Sequence, residues 1–221
     1  MSASFKTPPE LLPEPMLRWL GRVEYEPTWQ AMQRFTEMRH DTTADELWFL
    51  EHPPVFTLGM NAKPEHLLAP GNIPVVQIDR GGQVTYHGPG QLVVYPLINV
   101  RRARLGIREL VIALENAIIA YCGERGIQAV GRRDAPGIYV DGKKLASIGL
   151  RIRRGCSYHG LALNVGMSLE PFQRINPCGY AGLQVTDLQT LGVDVDVSEV
   201  ARDLAPHLLQ ALGLPRTAAW V

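Results

Sequence analysis

The turn around Cys178 holds the strongest candidate nucleophile in the sequence. It reads RINPCGYAG from Arg174 to Gly182, with Asn-Pro before the cysteine and glycine after it. Proline and glycine fix the local backbone and leave a thiol accessible, which suits a nucleophile. An incidental loop thiol is the alternative that the residues leave open. Cys122 differs, because it falls on the core side of a predicted helix, where cysteine serves as a small hydrophobic residue.

Two adjacent lysines follow a predicted tight turn. Asp141-Gly142 separates two β-prone runs, and Asp-Gly favours a type I′ hairpin because both turn residues need positive φ. Side chains alternate along a strand, so Lys143 and Lys144 point to opposite faces. Lys144 shares its face with the apolar Ala146, which makes it the inward candidate. Burial disfavours the charged form of an amine, so an inward lysine is a usable base, whereas two solvated lysines are the alternative.

A glycine-rich segment, RGGQVTYHGPG, extends from Arg80 to Gly90. Its four glycines indicate backbone conformations that side chains forbid, or backbone that touches a ligand. Main-chain N–H groups near Gly81, Gly82 or Gly149 are candidates to bind an oxyanion. A plain turn-rich loop is the alternative, since the segment lacks the phosphate-loop pattern. His87, taken alone, is more typical of a structural histidine than of a catalytic one.

The pair Cys156 and His159 has the Cys-x-x-His form that some metal sites use. Their separation of three residues is odd, so on a strand the two side chains face opposite sides. No second close cysteine pair of the zinc-site kind accompanies them. We therefore expect no bound metal.

Helices and hairpins must position these residues. Apolar periodicity predicts helices over 28–40, 107–125 and 198–212. Predicted strands cover 46–58 with a break at Pro53-Pro54, then 73–79, 91–100, 137–140, 143–152 and 156–165. The strands come in hairpins and not in regular β-α-β alternation. We therefore predict an α+β fold, with a mixed or antiparallel sheet and helices packed on it.

Local signals place the ends of these elements. Gly126 is the expected C-terminal cap of the second helix, and Ser198 the N-cap of the third. Pro206 is expected to bend or split the third helix. Residues 1–20 are Pro-rich and are predicted to be irregular, and residues 21–221 are predicted to form one domain.

Composition narrows the classes of function. The 221 residues carry a formal net charge of zero, which gives no case for nucleic acid or membrane binding. No apolar run approaches the length of a membrane span, and the first ten residues lack the apolar core of a signal peptide. Three cysteines, an odd and sparse count, indicate a reducing compartment, so we expect a cytoplasmic protein with a free thiol.

Three long stretches resemble the octanoyltransferases of lipoate biosynthesis. They are RGGQVTYHGPGQLVVYPL (80–97), PGIYVDGKKLASIGLRIRRGCSYHGLALNV (136–165) and INPCGYAGLQVT (175–186). The resemblance implies the fold of the biotin and lipoate protein ligase catalytic domains and makes residues 21–221 an acyltransferase catalytic domain. It also implies transfer of an octanoyl group from acyl carrier protein to a lysine of lipoyl domains, the first step of endogenous protein lipoylation.

The resemblance also assigns roles to residues. Cys178 becomes the nucleophile that carries the acyl thioester, and Lys144 the partner that activates it and later serves as base. The implied substrate-binding residues are Arg80, Gly81, Gly82, Gln83, Val84, Thr85, Tyr86, His87, Ser147, Ile148, Gly149, Gly160, Leu161 and Ala162.

Partners and cofactors follow from the same resemblance. The donor is acyl carrier protein with its phosphopantetheine, and the acceptors are lipoyl domains of 2-oxoacid dehydrogenases and the glycine cleavage H protein. Neither ATP nor a metal is expected. Three rival functions remain: an ATP-dependent lipoate or biotin ligase on the same fold, a Cys-His hydrolase with His87 or His159 as base, and a non-catalytic binder of lipoyl domains.

Overall fold

The computed structural model describes residues 13–133 and 135–221, with residue 178 described by its main chain. In this part of the chain the helices are α1 (Tyr25–Met38), α2 (Ile107–Gly123) and α3 (Val197–Ala211). The strands are β1 (Met16–Arg22), β2 (Glu46–Glu51), β3 (Val55–Leu58), β4 (Val75–Gln77), β5 (Val84–His87), β6 (Gln91–Leu97), β7 (Val130–Gly131), β8 (Gly137–Val140), β9 (Lys143–Arg153), β10 (Cys156–Asn164) and β11 (Ala219–Trp220).

Two sheets organise these elements. The larger has the strand order β11-β1-β2-β6-β10-β9-β8-β7, and the smaller has the order β4-β3-β5. Strand β1 runs parallel to its neighbours β2 and β11, while β2, β6, β10, β9 and β8 pair antiparallel in turn. The predicted α+β class with a mixed sheet is confirmed.

The large sheet is covered on both faces. Apolar residues of α2 and α3 pack with one set of strand residues, which includes Phe49, Leu92 and Leu163. Helix α1 packs with another set, which includes Trp48 and Tyr95. Alternate residues of one strand therefore serve opposite cores, as strand geometry requires.

The β8–β9 hairpin confirms the predicted turn and the direction of the two lysines. Asp141 has φ 49° and Gly142 has φ 77°, as a type I′ turn demands. Lys143 is exposed, whereas Lys144 is only 2% exposed. The strand continues for eleven residues and pairs with β10, so one long hairpin carries Lys144 and six of the predicted substrate-binding residues.

Several predicted boundaries are wrong. Met16–Arg22 is a strand and not irregular, because it finds partners in β2 and β11 that are remote in sequence. The N-cap of α3 is Asp196 and not Ser198, since the Asp196 carboxylate accepts the Glu199 N–H. Helix α3 continues through Pro206 without a break, so the predicted split does not occur.

Other differences are small. Helix α1 begins three residues earlier than the predicted Thr28, and the strands predicted over 73–79 and 91–100 are shorter at 75–77 and 91–97. Gly126 follows α2 with φ 73°, which is the left-handed conformation expected after a helix end. Among the described residues, no helix has the length and apolar character needed to cross a membrane. Residues 1–12 lie outside the described part of the chain.

Candidate active site

A slot opens between the β9–β10 hairpin and the glycine-rich segment before β5. Its lining residues are Tyr25, Arg80, Gly81, Gly82, Gln83, Val84, Thr85, His87, Val93, Tyr95, Ser147, Ile148, Gly149, His159, Gly160, Leu161 and Ala162. The structure thus brings together all of the predicted substrate-binding residues except Tyr86. That side chain packs instead in a separate core against Phe56 and Phe172.

Glycines leave space for the slot where β9 and β10 pair. Gly149 lies opposite Gly160 in the β9–β10 register. A Cβ at Gly149 would stand 3.1 Å from Arg80 Cδ and 3.3 Å from Gly81 O. Even an alanine at position 149 would therefore press on the segment that forms the other wall.

Arg80 fastens the glycine-rich segment to β3. Its Nη2 donates to Thr57 O at 2.8 Å and to Thr57 Oγ1 at 2.9 Å, and the side chain is buried. The Gly81 N–H donates to Leu150 O on β9 at 3.1 Å. This bond removes Gly81 from the candidate oxyanion donors, because its N–H already has an acceptor.

A partly buried carboxylate, that of Asp79, lies behind the slot. Asp79 accepts hydrogen bonds from Trp29 Nε1 at 2.9 Å, from His159 Nε2 at 2.8 Å and from the Tyr158 hydroxyl. Partial burial works to raise the pKa of Asp79, but the hydrogen bonds outweigh it and hold that pKa well below its usual range. Asp79 is therefore an anion that orients three rings.

A backbone irregularity makes this cluster possible. Successive residues of a regular strand point to opposite faces, yet Tyr158 and His159 both reach Asp79. His159 has φ 57°, a left-handed conformation that is uncommon for a residue with a side chain. The two rings consequently stack, with centroids 5.0 Å apart. Burial lowers the pKa of His159 despite the Asp79 carboxylate, so the imidazole is neutral at pH 7.

Two more histidines line or support the slot. His52 Nδ1 donates to Val23 O at 2.7 Å, and its Nε2 lies 2.7 Å from the Tyr95 hydroxyl, which donates to it. His87 Nδ1 lies 2.8 Å from Gln91 Oε1. Burial lowers the pKa of His52 to about 4 and that of His87 to about 3. Both rings are therefore neutral and fixed near neutral pH.

Sequence interpretation missed Asp79, Tyr25, Val93 and Tyr95 as parts of the site. Tyr25 and Tyr95 come from α1 and β6, and only tertiary structure places them beside the hairpin. His159 was considered only as a possible metal ligand or hydrolase base. A signal was present there, since a glycine directly after a histidine inside a predicted strand indicates a bulge.

Lys144 lies at the start of β9, three residues before the slot begins at Ser147. Its Nζ donates to Pro136 O at 3.1 Å and lies 5.4 Å from the centre of the Tyr139 ring. Gly137, with φ 137°, passes directly over the lysine, and a Cβ there would stand 2.7 Å from Lys144 Cε. The amine is thus enclosed by β8 and the residues before it.

The segment that carries Cys178 is joined to the lysine by main-chain hydrogen bonds. Lys144 N donates to Gln184 O at 2.8 Å, and Thr186 N donates to Lys144 O at 2.9 Å. Residues Pro177–Gly179 form a short 3-10 turn, and Asn176 N donates to His66 O at 2.8 Å. A Cβ at Gly179 would meet Gln83 Cγ at 3.5 Å, so the turn also adjoins a slot wall. The thiol of Cys178 lies outside the described part of the chain.

The two cysteines whose thiols are described, Cys122 and Cys156, lack the accessible, low-pKa environment of a nucleophile. Cys122 and Cys156 are both buried and free. Burial raises the pKa of Cys122 to about 11 and also raises the pKa of Cys156. Neither thiol is therefore ionised near neutral pH.

Comparison with known proteins identifies a family and solved structures that share this architecture. A family model described as the lipoyl protein ligase A/B catalytic domain matches residues 24–209. A bi-partite lipoate protein ligase of an archaeal lipoylation system, from Thermoplasma acidophilum, superposes with a TM-score of 0.74 at 16% identity, over 94% of this chain and 87% of that one. Biotin protein ligase from Aquifex aeolicus gives a TM-score of 0.54 at 13% identity, over 92% of this chain and 70% of that one.

These similarities define the fold as that of the lipoate and biotin protein ligase catalytic domains. A curated relative named octanoyltransferase, from Methylococcus capsulatus, is 58% identical over 204 residues, which cover 92% of this chain and 99% of that protein. The chain belongs to the lipoyl protein ligase A/B catalytic-domain family and, within it, to the octanoyltransferases.

Proposed function

We propose that this enzyme transfers an octanoyl group from acyl carrier protein to a lipoyl-domain lysine, through a thioester on Cys178 that Lys144 helps to form and resolve. The observation that supports this most is a buried amine on β9, three residues before the slot lining begins at Ser147. Lys144 is 2% exposed, and its main chain is bonded to the segment that carries Cys178. A lysine is almost never buried this fully unless its amine is paired, and Lys144 Nζ donates to Pro136 O.

The first half-reaction exchanges one thioester for another. Lys144 accepts the Cys178 proton, and the sulfur attacks the carbonyl carbon of the donor thioester. The new C–S bond to Cys178 forms as the bond to the carrier's sulfur breaks, and Lys144 returns the proton to that sulfur. A free thiol titrates near pH 8.5, so an adjacent base is what makes the attack effective at neutral pH.

The second half-reaction forms an amide. The acceptor lysine must be neutral to attack, and Lys144 takes its proton. The new C–N bond replaces the C–S bond, and the proton ends on Cys178. An amide is far more stable than a thioester, so this half drives the cycle. No ATP is needed, because the donor arrives already activated.

The slot accommodates the acyl chain. Its walls at Val93, Ile148 and Leu161 are apolar, and the facing pair Gly149 and Gly160 leaves room between them. Burial of seven methyl or methylene groups at about 0.8 kcal/mol each contributes on the order of 5 kcal/mol to binding. The acceptors in this proposal are lipoyl domains of 2-oxoacid dehydrogenases and the glycine cleavage H protein, met in the cytoplasm.

Replacement of the proposed nucleophile tests this function. Cys178→Ala is expected to reduce octanoyl transfer at least ~1,000-fold, because the covalent intermediate cannot form. Cys122→Ala is the matched control, since that buried thiol lies in the core, and its transfer rate is expected to stay within about twofold. Transfer from octanoyl-carrier should also be unchanged when ATP is omitted. Full activity of Cys178→Ala, or a strict need for ATP with free octanoate, would favour a ligase instead.

A further inference from the structure

The slot has a length that can be compared with its proposed ligand. Along β10 the slot lining extends from Ala162, which lies opposite Ser147, to His159. Three residues of strand correspond to about 10 Å. An extended octanoyl chain has seven C–C bonds of ~1.5 Å in a zigzag and spans about 9 Å. If the carbonyl carbon lies at the Ser147 end, nearer Lys144, the terminal methyl reaches His159.

The rings of the slot lining near His159 are held in place by hydrogen bonds. His159 is fixed by Asp79, Tyr95 by His52, and His87 by Gln91, and each of these bonds is buried or partly buried. The His159 and Tyr95 rings meet edge to face, with centroids 6.4 Å apart. Displacing Tyr95 or His87 would break a buried hydrogen bond, which is costly because no water replaces the lost partner. Displacing His159 would break its partly buried bond to Asp79.

His159 shows further signs of a constrained position. It is 1% exposed, and its backbone is left-handed at φ 57°. Its second ring nitrogen, Nδ1, is buried and has no hydrogen-bond partner among the described residues. Strain and an unpartnered polar atom oppose folding, so their presence at a slot wall points to a functional constraint.

We propose that the His159 ring, held by Asp79, is the end wall that limits the acyl chain to about eight carbons. This inference rests on the proposed function, because it takes the slot to be the acyl site. A decanoyl chain is about 2.5 Å longer, by two further C–C bonds in the same zigzag. It would have to push the ring off Asp79 or leave its thioester short of Cys178.

His159→Gly tests the wall, because glycine adopts the left-handed backbone and removes the ring. Octanoyl- and decanoyl-carrier proteins compete for the enzyme, and mass spectrometry of the acylated lipoyl domain gives the ratio of kcat/KM. Removal of the wall is expected to raise the decanoyl-to-octanoyl ratio at least ~10-fold over the wild type. An unchanged ratio in the folded variant would overturn the proposal.

Tyr158→Phe is the matched control, since it removes one bond to Asp79 but its ring lies outside the slot lining. Its ratio is expected to stay within about twofold of the wild type. If His159→Gly does not fold, His159→Asn takes its place, because asparagine also tolerates positive φ and is smaller than histidine. Absence of any acyl-enzyme in the wild type would instead contradict the proposed function, so the two failures are distinguishable.

Discussion

The slot end and the lysine end of the site are held by different kinds of contact. At the slot end, side chains remote in sequence bond to one another, as Trp29 and His159 do through Asp79. At the lysine end, main-chain bonds clip the segment 174–186 onto Lys144 and onto residues 66–69. A fixed side-chain network suits the recognition of one acyl group. In the proposed function, a loop held by main-chain bonds suits a thiol that two protein substrates reach in turn.

The largest expected loss of transfer activity comes from a substitution at the lysine end of the site. Lys144→Met keeps the buried volume and removes the amine, so transfer is expected to fall about 100- to 10,000-fold, as for loss of a general base. Lys143→Met, its exposed neighbour on the opposite face, is the control and should stay within about twofold. Steady-state transfer rates to a lipoyl domain measure both. Equal rates for the two variants would mean that burial of Lys144 serves only the fold.

A moderate loss of stability and activity is expected at Gly137, where the backbone encloses the Lys144 amine. Gly137→Ala adds a Cβ at φ 137° that would overlap Ala146 O and press on Lys144 Cε. We expect a loss of about 1–3 kcal/mol in the free energy of unfolding, together with a lower transfer rate. Gly123→Ala, where a Cβ would meet nothing within 4 Å, is the control and should not destabilise the protein. Urea denaturation measures both, and equal midpoints would contradict this account.

The last comparison concerns the slot end and the stability of the fold in acid. His52 and His87 are neutral in the folded protein, with pKa values of about 4 and 3, but titrate near 6.5 when unfolded. The unfolded chain therefore binds more protons below pH 6.5, and folding stability falls as the pH drops from 6.5 towards 4. Each histidine contributes a slope of at most about 1.4 kcal/mol per pH unit.

Urea midpoints measured between pH 7 and pH 4.5 check this slope. His52→Gln removes one of the titrating rings and should make the decline shallower, although the variant is less stable at pH 7. The exposed His40 supplies the control, since His40→Gln should leave the slope unchanged. Stability that stays flat in the wild type over this range would show that the slot histidines are not kept neutral by the fold.

The sequence predicted the site through local signals and missed what only tertiary contacts create. The Asp141-Gly142 turn fixed the register of β9, and alternation then gave the inward direction of Lys144 correctly. Strand β1 was missed, because its pairing partners lie about thirty residues and two hundred residues away along the chain. Local propensity carries no information on such pairings.

The polar network behind the slot was missed for a related reason. Asp79, Tyr25 and Tyr95 belong to different elements, and nothing in their local sequence marks them as partners of the hairpin. The left-handed conformation of His159 also lies beyond simple alternation, which places Tyr158 and His159 on opposite faces. The sequence likewise does not give the length of the acyl group, which in our proposal depends on the position of the His159 ring.

Mass analysis of the acylated enzyme tests the central claim most directly. The protein is mixed with octanoyl-carrier in the absence of an acceptor, quenched in acid, digested and analysed. We predict one octanoyl group on Cys178, which disappears from the enzyme and appears on the lysine when a lipoyl domain is added. Transfer that proceeds without any acyl group on Cys178, or with the group on another residue, would contradict the account.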